Sequence, residues 1–346
     1  MSVSSKVCGT YEGTPIDAFD IAAGGTRIRV ITLGAILSEV HVPDRNGISK
    51  DIALGYDDPA DYMRNRGSAG AVCGRSVNRI ANASFSIDGV AYPLSVNEGK
   101  NHLHGGLKGF GKRVWSGRIN EGSDSVTLML DSPDGDEGYP GTLRAQITYS
   151  VLKDGSLLIE MSATTSKPTI VNFAHHGYWN LAGHESGPVT NQILRIDADH
   201  YTPTDAGKIP TGELAPVDGT PFDFRDGKAI GADIEAASPD GGYDVNFGLN
   251  GPSGTMRAVA WAHDPVSGRA LELSTNQPAV QLYTANNFGT VPAVGKSGAH
   301  YGKYAGFALE TQGFPDAPNQ PNFPSTILRP AETYRHDMHI RFLTGA

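Results

Sequence analysis

The stretch "LRAQITYSVLKDGSLLIEMSA", residues 143–163, holds two runs of alternating apolar and polar residues separated by a short turn. Apolar side chains occupy every second position of 143–151 and again of 157–163, which is the pattern of strands that bury one face. The residues between the runs include Asp154-Gly155, a pair that accepts the positive φ angles of a tight hairpin turn. The stretch therefore predicts a β-hairpin and, with it, an antiparallel sheet.

The same alternation recurs along the chain, in runs at 26–32, 35–42, 125–130, 269–275, 279–284 and 336–342. Further turn dipeptides separate such runs, at Asn46-Gly47, Asp88-Gly89 and Ser267-Gly268. Many short strands joined by turns are typical of two antiparallel sheets packed face to face. We therefore expect an all-β protein, a large antiparallel β-sandwich with few short helices.

Helical periodicity is confined to "DDPADYMRNR", residues 57–66. This segment predicts a helix of two or three turns, with Asp57 or Asp58 as its N-cap and Pro59 near its first position. The chain shows no low-complexity linker and no break in composition. We therefore expect residues 1–346 to form a single domain.

Composition and net charge limit the kinds of molecule that we expect the protein to bind. The net charge is −9, and no basic stripe is present that would follow a phosphate backbone, so we expect no nucleic-acid partner. No apolar run is long enough to span a bilayer, and the first 19 residues lack the apolar core of a secretory signal, so we expect no membrane partner. Cys8 and Cys73 are the only cysteines, which fits reduced thiols in the cytoplasm. We therefore expect the protein to be a cytoplasmic monomer or homodimer that binds a neutral small molecule.

Polar side chains lie beside aromatic residues in four segments of the chain. The side chains in these segments that could bind a ligand or transfer a proton are Asn78, Arg79, His102, His104, His175, His176 and Glu310. Asp244 and Gln281, which lie elsewhere, are weaker candidates of the same kind. Glu310 follows the apolar run "GFAL" (306–309), where an unpaired buried charge would be costly, and this favours a specific role for it. Adjacent strand residues face opposite ways, so only one of His175 and His176 can share a pocket with His104, and alternation leaves open which.

Several kinds of chemistry lack their sequence signatures. A metal site built on the pair His102 and His104 would need a glutamate a few residues later, but the next carboxylate is Glu121. No nucleophile elbow, phosphate-binding loop or dinucleotide fingerprint occurs. The remaining histidine, carboxylate and arginine side chains suit proton transfer on a polyhydroxylated ligand without a cofactor. The alternative interpretation, polar groups that only complete hydrogen bonds at strand ends, stays open.

Four segments in this order resemble the aldose 1-epimerase (galactose mutarotase) family: "GAILSEVHVPDRNG" (34–47), "LHGG" (103–106), "HGYWNL" (176–181) and "LETQGFPDAPNQPNFPS" (309–325). The resemblance extends over nearly the whole chain. It implies the large β-supersandwich of that family. It also implies interconversion of the α and β anomers of free aldoses of the glucose or galactose type, by acid/base ring opening and reclosure without metal or organic cofactor.

Motif by motif, the resemblance implies roles for individual residues. Glu310 would take the proton of the sugar C1 hydroxyl, His176 would protonate the ring oxygen, and His104 would orient the sugar. The residues that match sugar-binding positions are Arg79, Asp244 and Gln281, with Asn78 beside them. His175 stands where the family usually has asparagine, and we expect His102, which lies outside the motif, to be structural.

Three other functions remain in competition with this one. They are a non-catalytic carbohydrate-binding protein of the same fold, a metal-dependent cupin-like enzyme, and a hexose-6-phosphate epimerase. The first would be expected to lack Glu310 or His176, and the last would need additional arginine or lysine around the site. The sequence does not indicate which aldose is preferred.

Overall fold

The computed structural model describes residues 2–64, 68–289 and 294–345, and its regular structure is almost entirely β-strand. The one α-helix in these residues is α1 (Pro59–Arg64). Short 3₁₀-helices lie at Ala81–Ala83, Phe110–Lys112, Asp136–Gly138, Lys296–Gly298 and Ala317–Asn319. The strands in chain order are β1 (Ser2–Tyr11), β2 (Thr14–Ala23), β3 (Thr26–Ile31), β4 (Ile36–Pro43), β5 (Ser49–Asp51), β6 (Val72–Cys73), β7 (Arg79–Ile80), β8 (Ser84–Ile87), β9 (Val90–Pro93), β10 (His102–Leu103), β11 (Ser116–Ile119), β12 (Ser125–Ser132), β13 (Leu143–Val151), β14 (Leu157–Thr165), β15 (Thr169–Ile170), β16 (Ala174–His175), β17 (Tyr178–Trp179), β18 (Ile193–Ile196), β19 (His200–Tyr201), β20 (Ala215–Pro216), β21 (Lys228–Ala229), β22 (Asp244–Gly248), β23 (Arg257–His263), β24 (Arg269–Thr275), β25 (Ala279–Tyr283), β26 (Phe307–Gln312), β27 (Ile327–Leu328) and β28 (Tyr334–Thr344).

The predicted hairpin is present as β13 and β14. Their register runs from Leu143 opposite Thr165 to Val151 opposite Leu157, with the Asp154-Gly155 turn between the strands. The apolar positions of both strands are buried and the alternate positions are more exposed, as the sequence pattern requires. The other predicted runs are also strands, namely β3, β4, β12, β24, β25 and β28.

The strands of the described residues form three large sheets. The largest has the order β11-β12-β13-β14-β28-β24-β23-β18-β21, a second has the order β1-β2-β3-β4-β5, and a third has the order β17-β26-β25-β22-β19-β20. Neighbouring strands in all three are antiparallel. Side chains from the three sheets meet in one apolar core, for example Ile21, Ile147 and Leu282. The all-β antiparallel prediction is confirmed, whereas the single domain over residues 1–346 stays a prediction.

The middle of the largest sheet is formed by β28, which follows every other strand of that sheet in the chain. It pairs with β14 along one edge and with β24 along the other. Its side chains His336, Met338 and Ile340 are buried. The two halves of the sheet are therefore joined only through this strand.

A buried arginine ties two of the sheets together. Arg269, at the start of β24, donates hydrogen bonds to the carbonyl oxygens of Val42 (3.1 Å), Leu181 (3.2 Å) and Ile48 (2.7 Å). Two of these carbonyls belong to the β4–β5 hairpin of the five-stranded sheet. The guanidinium group thus links the β4–β5 hairpin and the Leu181 carbonyl to the start of β24 by charged hydrogen bonds.

The predicted helix is found in part. It begins at Pro59, and the Asp58 carboxylate accepts a hydrogen bond from the Ala60 N–H at 2.9 Å, so Asp58 is the cap. Arg64 is its last described residue, and positions 65 and 66 of the prediction lie outside the described residues. None of the helices in the described segments has the length and apolar character needed to cross a bilayer.

Replacing Arg269 with methionine should destabilise the protein by about 3 kcal/mol or more, because three buried carbonyls lose a charged donor. Urea unfolding followed by tryptophan fluorescence measures this free energy. The control is Arg341→Met, which removes an exposed arginine paired with Glu272 and should cost at most about 1 kcal/mol. Equal losses in the two variants would contradict the anchoring role.

Candidate active site

A cavity of about 640 Å³ opens beside the six-stranded sheet, a volume within the usual range for small-molecule sites. All seven residues predicted to act on or bind a ligand line it, namely Asn78, Arg79, His104, His176, Asp244, Gln281 and Glu310. The structure therefore brings together side chains that are up to 232 positions apart in the sequence, as Asn78 and Glu310 are. What each of these side chains can do depends on its position and its partners within the cavity.

Strand register places three of these side chains on one wall. Gln281 on β25 lies directly opposite Glu310 on β26, and on its other side it lies opposite Asn246 on β22. Asp244 is two positions before Asn246, so it points to the same face of the sheet. The polar wall of the cavity thus follows from alternation together with the pairing of β22, β25 and β26.

His176 reaches the same wall from a different segment. Tyr178 on β17 lies opposite Ala308 on β26, which is two positions before Glu310, so Tyr178 faces the cavity side. His176 precedes Tyr178 by two residues, and both line the cavity. His175 points the other way into the core, where its ring packs against Tyr149. The alternative left open by the sequence is thereby resolved in favour of His176.

The Glu310 carboxylate and the His176 imidazole form a close pair at the base of the cavity. Their Oε1 and Nε2 atoms are 3.4 Å apart, and both side chains are almost fully buried. Among the described residues, neither the second oxygen of Glu310 nor Nδ1 of His176 has a hydrogen-bond partner. The Glu310 oxygen is therefore free to bind a ligand group.

Burial shifts the protonation of this pair. Loss of solvation raises the pKa of Glu310 well above its ordinary value, and the nearby negative charge of Asp244 raises it further, while Arg79 opposes the shift. Loss of solvation lowers the pKa of His176 to about 4. Relative to the two groups in water, both shifts oppose the charged carboxylate–imidazolium pair and favour the carboxylic acid with the neutral imidazole.

Asn78 and His104 face each other across the ends of β7 and β10. Both have left-handed backbone conformations, with φ of 59° and 50°, which for residues other than glycine are concentrated at functional sites. The Asn78 N–H donates to His104 Nδ1 at 3.3 Å, and the His104 N–H donates to the Asn78 carbonyl at 3.1 Å. Because Nδ1 accepts a hydrogen bond, the proton of the neutral ring is on Nε2.

The surroundings of the His104 ring favour its neutral form. Burial lowers its pKa well below the ordinary value, and the charges of His176, Arg79 and Lys112 lower it further. Its ring packs edge-on against His176, with 5.5 Å between the ring centroids. In its neutral form the ring carries one hydrogen-bond donor, the Nε2–H group.

The glycine after His104 is required by a close backbone contact. A Cβ atom on Gly105 would lie 1.6 Å from the carbonyl oxygen of Gly74, so no other residue fits there. This contact holds the "LHGG" segment against the segment that leads to Asn78. The glycine of that motif thus serves to place His104.

Charged side chains around the cavity are paired with one another. Arg79 donates from Nη2 (2.9 Å) and Nε (3.2 Å) to a single oxygen of Glu98. The Asp244 carboxylate accepts from Gln281 Nε2 at 2.8 Å and from Lys208 Nζ at 2.7 Å. Glu98 and Lys208 could not be predicted from the sequence, because neither lies in a motif and their pairing depends on contacts between distant segments.

Part of the cavity wall is aromatic. The ring of Tyr178 packs against Tyr283, with 6.0 Å between centroids, and against Phe288 at 5.0 Å. Tyr62 and Met63 of helix α1 extend this wall. Aromatic side chains beside polar groups match a sugar ring, whose C–H face is apolar and whose rim carries hydroxyls.

His102 lies outside the cavity lining. Its Nε2 bonds the Tyr139 hydroxyl at 2.7 Å and its Nδ1 bonds the Ser95 carbonyl at 2.7 Å. Both ring nitrogens are therefore satisfied in the interior, as expected for a structural residue. His102 and His104 do not form a shared site.

One group of side chains in the described residues is compact enough to hold a metal ion, and it comprises Glu39, His41 and Asp51. It does not line the cavity. Arg27 donates to Glu39 at 3.0 Å, and Lys296 donates to Asp51 at 2.5 Å. These cations already neutralise the carboxylates, which disfavours a metal there.

Comparisons with known proteins identify the family of this chain. The family model for aldose 1-epimerase matches residues 17–341. Galactose mutarotase from Homo sapiens is 42% identical over 344 residues, covering 99% of this chain and 98% of that protein. Aldose 1-epimerase from Escherichia coli K12 is 37% identical over 326 residues, covering 92% of each.

Solved structures agree as well. The crystal structure of an aldose epimerase homologue from C. elegans matches with a TM-score of 0.87 and 30% identity, over 94% of this chain and 98% of that one. The crystal structure of galactose 1-epimerase from Lactobacillus acidophilus matches with a TM-score of 0.87 and 26% identity, over 100% of this chain and 99% of that one. The chain belongs to the aldose 1-epimerase family.

Proposed function

We propose that this chain interconverts the α and β anomers of free aldoses of the glucose or galactose type, and that Glu310 and His176 transfer the protons. The observation that carries the proposal is the buried pair of these side chains, 3.4 Å apart, at the base of one cavity. An acid and a base so placed can act together on the C1–O5 bond of one sugar. Family membership supports the reaction, and the geometry supports the residues.

The reaction opens and recloses the sugar ring. Glu310 as a carboxylate accepts the proton of the C1 hydroxyl while protonated His176 donates a proton to the ring oxygen, and the C1–O5 bond breaks. Rotation about C1–C2 then presents the other face of the aldehyde. Reclosure with the two proton transfers reversed gives the other anomer.

The two protonation states of the pair correspond to the two forms of the sugar. Carboxylate with imidazolium accompanies the closed ring, and carboxylic acid with neutral imidazole accompanies the open aldehyde. In water, reference pKa values of about 6.5 for histidine and about 4.3 for glutamate favour the charged pair by about 3 kcal/mol. Burial shifts both pKa values against the charged pair. The cavity therefore stabilises the protonation state that accompanies ring opening.

The remaining polar residues hold the sugar while C1 stays free to rotate. His104 donates from Nε2 to an oxygen of the sugar, because its Nδ1 already accepts from Asn78. Arg79, Asn78, Asp244 and Gln281 bind hydroxyl groups. The buried Gln281 carbonyl oxygen has no partner within the described chain, so it is available to accept from one of them.

The competing functions fit the cavity less well. A protein that only binds carbohydrate has no need of a buried acid/base pair at the floor of its site. A hexose-6-phosphate epimerase needs free cations, but Arg79 and Lys208 are each paired with a carboxylate. Lys112 donates to the Leu107 carbonyl at 3.0 Å. The cytoplasmic location, the monomeric or homodimeric state, and the absence of nucleic-acid, membrane and cofactor partners stay predictions.

Glu310→Gln should lower kcat for anomer relaxation by about 10² to 10⁴, since the amide keeps the shape of the side chain but is not a base. Polarimetry on freshly dissolved α-D-glucose and α-D-galactose measures the rate. Sugar binding followed by calorimetry should persist. The matched control is Glu185→Gln, an exposed glutamate outside the cavity, which should relax both sugars at the wild-type rate. Wild-type turnover in Glu310→Gln would refute the assignment.

A plot of the relaxation rate against pH should be bell-shaped. On its acid side the rate should fall near pH 4, rather than near the ordinary histidine pKa of about 6.5. Below the pKa of His176, about 4, both groups carry protons and no base remains. Above the raised pKa of Glu310, the shared proton is lost and no acid remains. Stopped-time polarimetry across the pH range measures both limbs of this profile. Recovery of the rate on return to neutral pH is the control for folding. An acid limb at the ordinary histidine value would contradict the buried pair.

Dialysis against EDTA should leave the rate unchanged, because the proposed steps use only protein side chains. Polarimetry before and after dialysis measures this, and wild-type protein dialysed against buffer alone is the control. Loss of rate that added divalent metal restores would favour the metal-dependent alternative.

A further inference from the structure

Arg79 presents a cation to the cavity, but one edge of its guanidinium group is already occupied. Its Nε and Nη2 atoms both donate to Oε1 of Glu98, at 3.2 Å and 2.9 Å. The Arg79 side chain is 11% exposed and that of Glu98 is 35% exposed, and both residues line the cavity. The pair therefore lies where a ligand would contact it.

The position of Glu98 is set by its own turn and does not depend on a ligand. The Asn97 side chain donates to the Leu103 carbonyl at 2.9 Å and accepts from the Leu103 N–H at 2.7 Å. The Asn101 N–H donates to the Glu98 carbonyl at 2.8 Å. Because Leu103 lies opposite Arg79 in the β7–β10 pair, the turn carries the Glu98 carboxylate to the guanidinium group.

This pairing has a consequence for ligand charge. The edge of an arginine that offers Nε and Nη2 is well suited to hold a carboxylate or a phosphate by two parallel hydrogen bonds. Glu98 takes that edge and cancels its charge. An anionic group on a ligand would meet the Glu98 carboxylate, whereas a hydroxyl can bind either partner.

We propose that Glu98 is a specificity-determining residue, which neutralises Arg79 and thereby reserves the cavity for uncharged aldoses over sugars that carry a carboxylate or a phosphate. The inference rests on the proposed function and names the substrate class of the same site. Glu98 touches Arg79 and the cavity but neither Glu310 nor His176, so it acts on binding and leaves proton transfer intact.

The test uses inorganic phosphate as the anion and Glu98→Gln as the variant. At constant ionic strength, phosphate should inhibit relaxation of α-D-glucose by Glu98→Gln competitively, with an inhibition constant about tenfold or more below that of the wild type, the size of one hydrogen bond to a charged group. The KM for glucose should rise, because Arg79 loses its anchor, while kcat changes little. The double variant Arg79→Met/Glu98→Gln should lose the added phosphate sensitivity.

The matched control is Glu272→Gln. Glu272 also accepts from one arginine at 2.9 Å, is 29% exposed, and lies outside the cavity, so its removal changes the net charge equally. An inhibition constant that is the same in Glu98→Gln, Glu272→Gln and wild type would overturn the proposal, and so would phosphate sensitivity that survives in the double variant. If wild type fails to accelerate glucose relaxation at all, the proposed function itself fails, and that result precedes any comparison of variants.

Discussion

The registered pairing of β22, β25 and β26 is the constraint on which the cavity depends. It sets Asn246, Gln281 and Glu310 side by side across three strands. A slip of one residue between β25 and β26 would turn the Glu310 carboxylate away from the face that carries Gln281, because strand side chains alternate. The buried apolar residues between the polar ones, such as Leu309 and Leu282, oppose such a slip, because it would bring them to the polar face. The packing of the core therefore fixes the geometry of the cavity wall as well as contributing to stability.

Burial gives the acid/base pair properties that neither side chain has in water. The carboxyl group holds its proton more strongly and the imidazole holds its proton more weakly than usual. These shifts reduce the preference for the charged carboxylate–imidazolium pair that the two groups have in water. Arg79 and Asp244 are the charged residues that act on Glu310. Each is paired with an opposite charge, Arg79 with Glu98 and Asp244 with Lys208.

Much of the fold and all seven proposed site residues could be predicted from the sequence. The alternation of β13 and β14 is strong because one face of each is buried. By contrast, β1 was missed, since "SVSSKVCGTY" is a largely exposed edge strand without alternation. The choice between His175 and His176 required the register of Tyr178 with Ala308, and the roles of Glu98 and Lys208 required contacts between distant segments. Such pairings depend on tertiary packing and leave no local pattern.

The central place of β28 bears on how the protein is made. On one side of β28 lie β11 to β14, and on the other lie β24, β23, β18 and β21. Both groups can begin to pair as the chain emerges, but β28 is synthesised after all of them. Until then, the facing edges of β14 and β24 carry unpaired backbone groups, which invite pairing with other chains. A nascent or truncated chain would thus be the species most exposed to aggregation, and chaperones that cover open strand edges would have their greatest effect in that interval.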